Sequence, residues 1–583
     1  MKKGVYGWKG TRLLALLCIA IFLVGCMPTK PDGPSSRDEL RFANHDKALA
    51  VLGKELKENG KDRFLYLAGS GLIKNLHGDY QGSNHNLEEA ARLADELQTK
   101  SASNMLKVAL SSPSSGDYGG MAYERAYIHY YKALNYIMLA AVSQGNAREE
   151  NLEGARIEAR RVDILLTEIK NIHGSYEEVE DEKGSTFKKL LKLLRGLKGR
   201  TLDPDSLVYR EDAYIRYMEG VIYESNGEYD DARIAYQKSA KLYEQGYAKQ
   251  YLLGKEITEQ AWFDTVRMMQ WAGGYGDDWP RLADEKLSKQ TRERLKLFKK
   301  GGAQLLVVNH VGFVPERKEM TLHLRLEGQN KELVVSPGIA GKRENQVDHV
   351  ARNEQLAWFQ ALYADRELLS VMSNFYKSEY YGVASGLVEQ RISIAPVWEL
   401  AESIGLVSGM DMMGTFVKVP YYGSTAPDFG RTTVWIDDKN RGELINAESL
   451  ANIALQEQLL SAGDDLQLAL ARELTKVVFC SNMGKQLGGG FQGKLAEKAC
   501  ILGWGSFATA DTRNWLTLPH TVQLQRFPLE AGVHTVRLVT HDAANQGVYD
   551  QNEQQIEVKK GEVHLLRNRA LSRPVIHQQL AGK

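Results

Sequence analysis

Few side chains in this chain of 583 residues stand at the spacings that chemistry requires. Gly488-Gly489-Gly490-Phe491-Gln492-Gly493-Lys494 comes near a phosphate-cradling loop. Leu495, however, stands where a Ser or Thr must reach magnesium, and a helical rather than a strand-like pattern precedes the glycines. Ser185-Thr186-Phe187-Lys188 has the S-x-x-K spacing of a lysine-activated serine, but the S-D-N turn and K-T-G strand that complete such a site are absent. The 13 histidines form no H-E-x-x-H or paired Cys/His spacing, and no G-x-S-x-G occurs. His129, amid Tyr127, Tyr130, Tyr131 and Tyr136, reads as a packed histidine rather than a general base. Asp511, Arg513 and Trp515 form the most interesting polar group. An Asp/Arg pair beside an indole could hold a sugar or a peptide carboxylate; it could equally clamp the C-terminal part onto the helical body. The expectation is a chain with no catalytic residue, no metal and no cofactor.

A different chemistry is written at the start. Lys2, Lys3, Lys9 and Arg12 precede an unbroken apolar run of 12 residues, Leu13 to Val24, and Gly25-Cys26 closes it. This is the layout of an export signal, and the run falls short of the ~20 residues that span a bilayer. Leu23-Val24-Gly25-Cys26 resembles the lipobox of bacterial lipoproteins. The resemblance implies that the Cys26 thiol takes up a diacylglycerol and becomes the acylated, palmitate-bearing mature N-terminus. Met27 stands where an aspartate would retain such a protein at the inner membrane, so the expected location is the bacterial outer membrane, on its periplasmic face. Pro28, Pro31, Gly33 and Pro34, with Ser35 and Ser36, read as a tether. Cys18 leaves with the signal. Cys480 and Cys500, with 19 residues between them, are either bridged, adding about 3 kcal/mol in the chain-entropy model, or two separate buried thiols.

Charge excludes one class of partner. The chain has 74 basic and 74 acidic residues; losing residues 1–25 removes four basic and no acidic ones, which leaves 70 against 74 and a net −4. Nucleic acid needs a strong basic footprint, so no nucleic acid is expected as partner; with the phosphate loop incomplete and the chain expected outside the cytoplasm, no nucleotide is expected either. The body is otherwise ordinary globular protein, and its mature length of 558 residues exceeds one core.

The elements that must position these residues fall into two halves. From Tyr214 to Tyr243, Gly220, Tyr223, Gly227, Tyr229, Ala232, Tyr236 and Ala240 take the small and aromatic positions of a tetratricopeptide (TPR) repeat. In this reading Gly220 and Ala232 let two antiparallel helices touch, Tyr223 and Tyr236 fill the gap, and Asn226-Gly227 turns the chain. Gly71 and Gly78 repeat the separation of Gly220 and Gly227, with an insertion at Gln81 to Asn86 before a second helix around Ala90, Ala91 and Ala94. Ala133, Tyr136 and Ala155 take the small, aromatic and small roles in a further pair, and Asp46 to Leu52 reads as part of an earlier one. Glu259 to Trp271 would cap the array. Gly174 to Arg200 runs from acidic to basic, as a charged docking segment or a solvated face.

After residue 300 the period changes to that of strands at Ala303 to Asn309, Thr321 to Leu326, Thr415 to Val419 and Thr432 to Ile436. Residues 345–380 read as helical, and Ser449 to Cys480 as one long helix with a break at Ala462-Gly463. From Val522 the chain alternates as in a small antiparallel β-sandwich, a kind of module that binds surfaces or glycans. The predicted fold is thus multidomain, α then α+β. It comprises a signal (1–25), a lipidated tether (26–37), TPR-like hairpins (38–275), a connecting helix (284–300), a mixed module (301–510, with helix 449–480) and a β-sandwich-like module (511–583).

Glu124, His129-Tyr130-Tyr131, Ala133-Leu134-Asn135-Tyr136, Ala155-Arg156, Glu158-Ala159-Arg160-Arg161 and the stretch Asp511 to Pro519 are similar to motifs of a family of bacterial TPR-containing lipoproteins with no assigned activity. Residues 328–400 are less typical. The resemblance implies envelope or cell-wall work and supplies no catalytic residue. The expected function is a non-enzymatic scaffold, held to the membrane by its lipid, whose tyrosines would anchor a partner peptide and whose β-rich part would contact envelope proteins or the cell wall. The alternative is a cell-wall enzyme or its regulator.

Overall fold

Antiparallel helices occupy the chain as far as Leu295, and strands dominate thereafter. The computed structural model describes residues 33–110, 114, 116–172, 211–338, 353–359, 373, 389–404, 406–410, 414–486, 488, 490–505, 509–544 and 547–572. The expected signal, Cys26, most of the tether, and the stretch from Gly174 to Arg200 with Ser185 and Lys188 lie outside the described residues, as does most of 345–380; residues 353–359 are helical.

The first half contains α1 (Ser36–Arg41), α2 (His45–Glu55), α3 (Arg63–His77), α4 (Tyr80–Leu110), α5 (Ala122–Val142), α6 (Asn146–Ile172), α7 (Ala213–Ser225), α8 (Tyr229–Leu242) and α9 (Lys255–Ala272). Two short helices follow, α10 (Asp278–Lys286) and α11 (Lys289–Leu295), where one connecting helix was expected over 284–300. Local sequence explains the boundaries. The Asp212 carboxylate accepts from the Ile215 N–H and caps α7. Gly78 ends α3 at φ +90°, and Gly227 turns α7 into α8 at φ +76°, both left-handed conformations that a Cβ disfavours.

The close approaches fall at the expected small residues. A Cβ on Gly220 would stand 2.6 Å from the Tyr236 ring, and one on Gly71 2.7 Å from Leu87. Ala133, Ala155 and Ala232 are buried. Tyr136 lies against Gly154. Gln81 to Asn86 is not an insertion: α4 runs through it, and Ser83, within that stretch, donates to the Gly71 carbonyl at 2.7 Å.

The second half contains β1 (Ala303–Val311), β2 (Arg317–Glu327), β3 (Glu332–Pro337), β4 (Gln390–Ser393), α12 (Trp398–Ser403), α13 (Leu406–Met410), β5 (Thr415–Tyr422), β6 (Phe429–Ile436), β7 (Lys439–Glu443), β8 (Ile445–Ser449), α14 (Leu450–Gln486), α15 (Phe491–Gly505), β9 (Thr521–Leu529), β10 (Gly532–Asp542), β11 (Val548–Val558) and β12 (Val563–Ala570). Three four-stranded sheets result, in the orders β12-β1-β9-β8, β11-β10-β6-β7 and β4-β3-β2-β5. The chain is therefore α followed by α+β.

Strand β1 explains how the halves join. All nine of its residues are buried, as befits a strand covered on both faces. With side chains alternating, Leu305 and Val307 meet Val434, Ile436, Val536, Leu538 and Val558 of the facing sheet. Leu306 and Val308 belong instead to the core that continues into the helices, from Phe64 through Tyr130 and Tyr217 to Leu524.

Two expectations need correction. Strands beyond Thr521 do not stand apart as a module: β9 pairs with β1 and β8, β10 with β6, and β12 runs parallel to β1. The boundary expected at 511 divides both sheets between its two sides, and the β12-β1-β9-β8 sheet, with its parallel β1–β12 pair, is not wholly antiparallel. Helix α14 also runs unbroken through Ala462-Gly463. A helical Gly costs ~1 kcal/mol, and burial of Leu459, Ala462, Leu466 and Leu470 outweighs it. Among the described residues, no helix is long and apolar enough to cross a membrane.

Candidate functional site

The tyrosines expected to anchor a partner are filled by the chain itself. Tyr130 and Tyr131 of α5 and Tyr214 and Tyr217 of α7 are buried against the β12-β1-β9-β8 sheet. The Tyr130 hydroxyl meets the Tyr214 hydroxyl at 2.7 Å and Nε2 of His310, on β1, at 2.9 Å. Burial, then the positive charges of Arg569 and Arg567, pushes His310 well below the usual histidine range, so it is neutral. These side chains are therefore cement between the halves rather than a peptide groove. Their aromatic character was legible in the sequence; the long-range partner was not.

Beside them lies a fully buried ionic cluster. Arg267 pairs with Glu224, Nη2 to Oε2 at 2.7 Å, and with Asp264 at 2.8 Å. Arg526 of β9 reaches Glu224 at 3.0 Å and Asp264 at 3.2 Å, and donates to Gln304 and to the Tyr236 hydroxyl at 3.1 Å. Tyr217 donates to Asp264 at 2.5 Å. Burial alone would raise both carboxyls, but the two guanidinium groups outweigh it and hold them below their ordinary range. Two cations balance two anions with no side chain more than 1% exposed. Sequence reading missed this cluster, though Arg526 follows Val522 and Leu524 on the inward parity of β9. A charge in that position signals a buried partner.

Asp511 and Arg513 also take the structural role. The Arg513 guanidinium holds Asp511 at 2.7 Å, Asp62 at 3.2 Å and the Gly116 carbonyl at 2.8 Å, and lies over the Tyr118 ring at 5.1 Å. Trp515 is buried; its indole donates to Thr517 at 2.8 Å and its backbone N–H to Glu124 at 2.6 Å. With these groups engaged, the set clamps the strand-rich half to α3 and to the loop before α5.

A further polar constellation, at the edge of the helical half, joins α4, α5 and α6. His129 Nδ1 lies 2.7 Å from Glu158 Oε2, and Lys132 Nζ donates to Glu158 Oε1 at 2.7 Å and also to Glu88. Arg161 reaches Glu88 at 3.0 Å and Glu158 at 3.2 Å. Burial would raise Glu158, but its hydrogen bond with His129 and the charge of Lys132 leave it below the ordinary carboxylate range. His129 is 13% exposed, so a carboxylate-oriented imidazole borders solvent here. Lys132 and Arg161 are balanced by Glu88 and Glu158, and the oriented His129 imidazole is the member able to pass a proton to or from solvent.

Buried acids lie near the junction as well. Burial, then the neighbouring Glu124, pushes Glu457 up to about 7. Glu448 is pushed well above its ordinary range by burial and by Asp212 beside it. Cys480 and Cys500 form a disulfide between α14 and α15; Gly488 lies in that hairpin's turn and Lys494 in the first turn of α15. Partly buried Tyr223 reaches Arg160 rather than filling the α7–α8 gap alone. Among the described residues no three His, Cys, Asp or Glu side chains are grouped to hold a metal ion. No family model, curated protein or solved structure matches the chain.

Proposed function

We propose that this protein is a lipid-anchored scaffold of the bacterial outer membrane, facing the periplasm. In this reading it assembles envelope or cell-wall proteins through its outer surfaces and catalyses no reaction. The helical half is read as degenerate TPR hairpins, and the two sheets packed through Leu305, Val307, Val434 and Val536 as a β-sandwich. The recurrence of one close contact supports the TPR reading: Gly71 meets Leu87 and Gly220 meets Tyr236 at the same separation along the chain.

One observation carries the scaffold reading. The polar side chains best suited to ligand chemistry, Arg513 and Arg526, are engaged in fastening the two halves together. Because the tyrosine face is filled, docking is assigned to the exposed side of the array and not to a central groove. Metabolic labelling with palmitate and fractionation test the anchor: Cys26→Ser should lose the label and stay as uncleaved precursor. Incorporation of label by that variant, with the protein still in the outer membrane, would remove the localisation. The rival reading, a cell-wall enzyme or its regulator, is favoured by the His129–Glu158 pair at the solvent edge. Loss of function in a folded His129→Gln variant would support that rival.

A further inference from the structure

The α14–α15 hairpin leaves an apolar tip in solvent. Its helices are bridged by Cys480 and Cys500 and touch backbone to backbone at Gly484 and Gly493. A Cβ on Gly493 would stand 2.4 Å from the Gly484 carbonyl oxygen, so this side of α15 must face α14. At 3.6 residues per turn, positions two residues either side of Gly493 project the other way. Those positions are Phe491 and Leu495, one turn apart, 84% and 59% exposed. Phe479 on α14 is 53% exposed. Exposed Lys485 and Lys494 flank the tip and half-exposed Lys498 follows on α15, with Glu497 the single acid from 482 to 500; among the described residues none of the three lysines forms an ion pair.

Single exposed apolar residues are ordinary; an aromatic and a leucine stacked on one turn and framed by cations are less so. This is the make-up of an interfacial membrane contact. Apolar side chains enter the boundary between headgroups and acyl chains while ammonium groups remain with the lipid phosphates. We propose that the tip of this hairpin dips into the headgroup layer of an anionic phospholipid bilayer. The unpaired lysines select lipid phosphate as the complementary partner. Neither helix is long and apolar enough to cross, so the contact is interfacial, and the bridge keeps the two helices together as they enter. The contact needs no acyl chain and goes beyond the Cys26 anchor; with both in place, the body would be held at two points and oriented on the membrane.

The test uses the full mature chain with Cys26→Ser, so that neither an acyl chain nor a second thiol is present, and with Leu495→Cys carrying an environment-sensitive dye, the native cysteine pair remaining bridged. A control carries the dye at exposed Gln551 on β11. The protein is added to vesicles of phosphatidylethanolamine and phosphatidylglycerol bearing lipid-borne nitroxide. Quenching at 495 and none at 551 is the expected result. Lys485→Gln, Lys494→Gln and Lys498→Gln should each lower the insertion equilibrium about fivefold, the share of one lysine at an anionic surface. Circular dichroism and an intact disulfide establish that these variants are folded. Dye at 495 no more quenched than at 551 overturns the proposal. So does shielding of that dye by added protein without lipid, which would make the tip a protein contact. Absence of palmitate on Cys26 would refute the anchor and leave this result unaffected, because the chain is added to preformed vesicles.

Discussion

Arg526→Met is the most informative perturbation of the junction. The substitution keeps an unbranched side chain of similar reach and deletes the guanidinium that touches Glu224, Asp264, Gln304 and Tyr236. What remains is Arg267 facing two carboxylates, one negative charge in excess at side chains no more than 1% exposed. Stranding a buried charge in this way costs about 3–5 kcal/mol, against a typical total of about 5–15 kcal/mol for a folded domain. Urea unfolding followed by tryptophan fluorescence reads the loss, since Trp271 carries the Arg267 guanidinium 4.6 Å above its ring. Adding Glu224→Gln restores charge balance, so the double variant should lose less than the sum of the single losses. A loss within ~0.5 kcal/mol for Arg526→Met, the range of an ordinary surface change, would refute the claim that this cluster fastens the two halves.

Other outcomes follow from the same structure. Gly220→Ala places a Cβ against the buried Tyr236 ring and should cost roughly 1–3 kcal/mol by overpacking, with Ala232→Leu similar and exposed Lys238→Leu near zero in thermal unfolding; equal effects would remove the helix-contact reading. Cys480→Ser with Cys500→Ser should cost up to about 3 kcal/mol, and an unchanged urea midpoint would mean that the bridge constrains nothing. Glu457, held near 7 by burial and Glu124, binds a proton in the folded chain that the unfolded chain releases near 4.5. Its contribution is therefore full below about pH 4.5 and lost as the pH rises through about 7. Glu457→Gln should flatten that decline, and a steeper decline in the variant would reverse the assignment.

Local patterns were legible in the sequence where neighbours along the chain determine structure. Gly220 and Tyr236, Gly71, and the left-handed turns at Gly78 and Gly227 are such cases, because helix hairpins are made by residues within one turn pair. The strand patterns at Ala303 and Thr432 also emerged, since alternation is local. Register and partnership were not legible. Strands β1 and β12 pair although the chain between them holds ten other strands, and this is why residues 511–583 looked separable. The tyrosines read in general as anchors for a partner because a tyrosine's hydroxyl suits water as well as a buried histidine; only the sheet's position shows that Tyr130 and Tyr214 are buried. Arg526 was the overlooked clue, a charge on an otherwise apolar strand parity. Since β9 to β12 complete two sheets, deleting the chain from Val522 onward would unmake the fold and cannot probe a surface.

The scaffold claim is tested most directly by complementation of a null strain with point variants whose abundance and circular dichroism match the parent chain. The account predicts that His129→Gln, Ser185→Ala and Lys188→Ala restore the phenotype fully and that Cys26→Ser does not. Failure of folded His129→Gln together with success of Cys26→Ser would contradict it, because loss of a catalytic group costs orders of magnitude in rate while a partly exposed packing residue costs little.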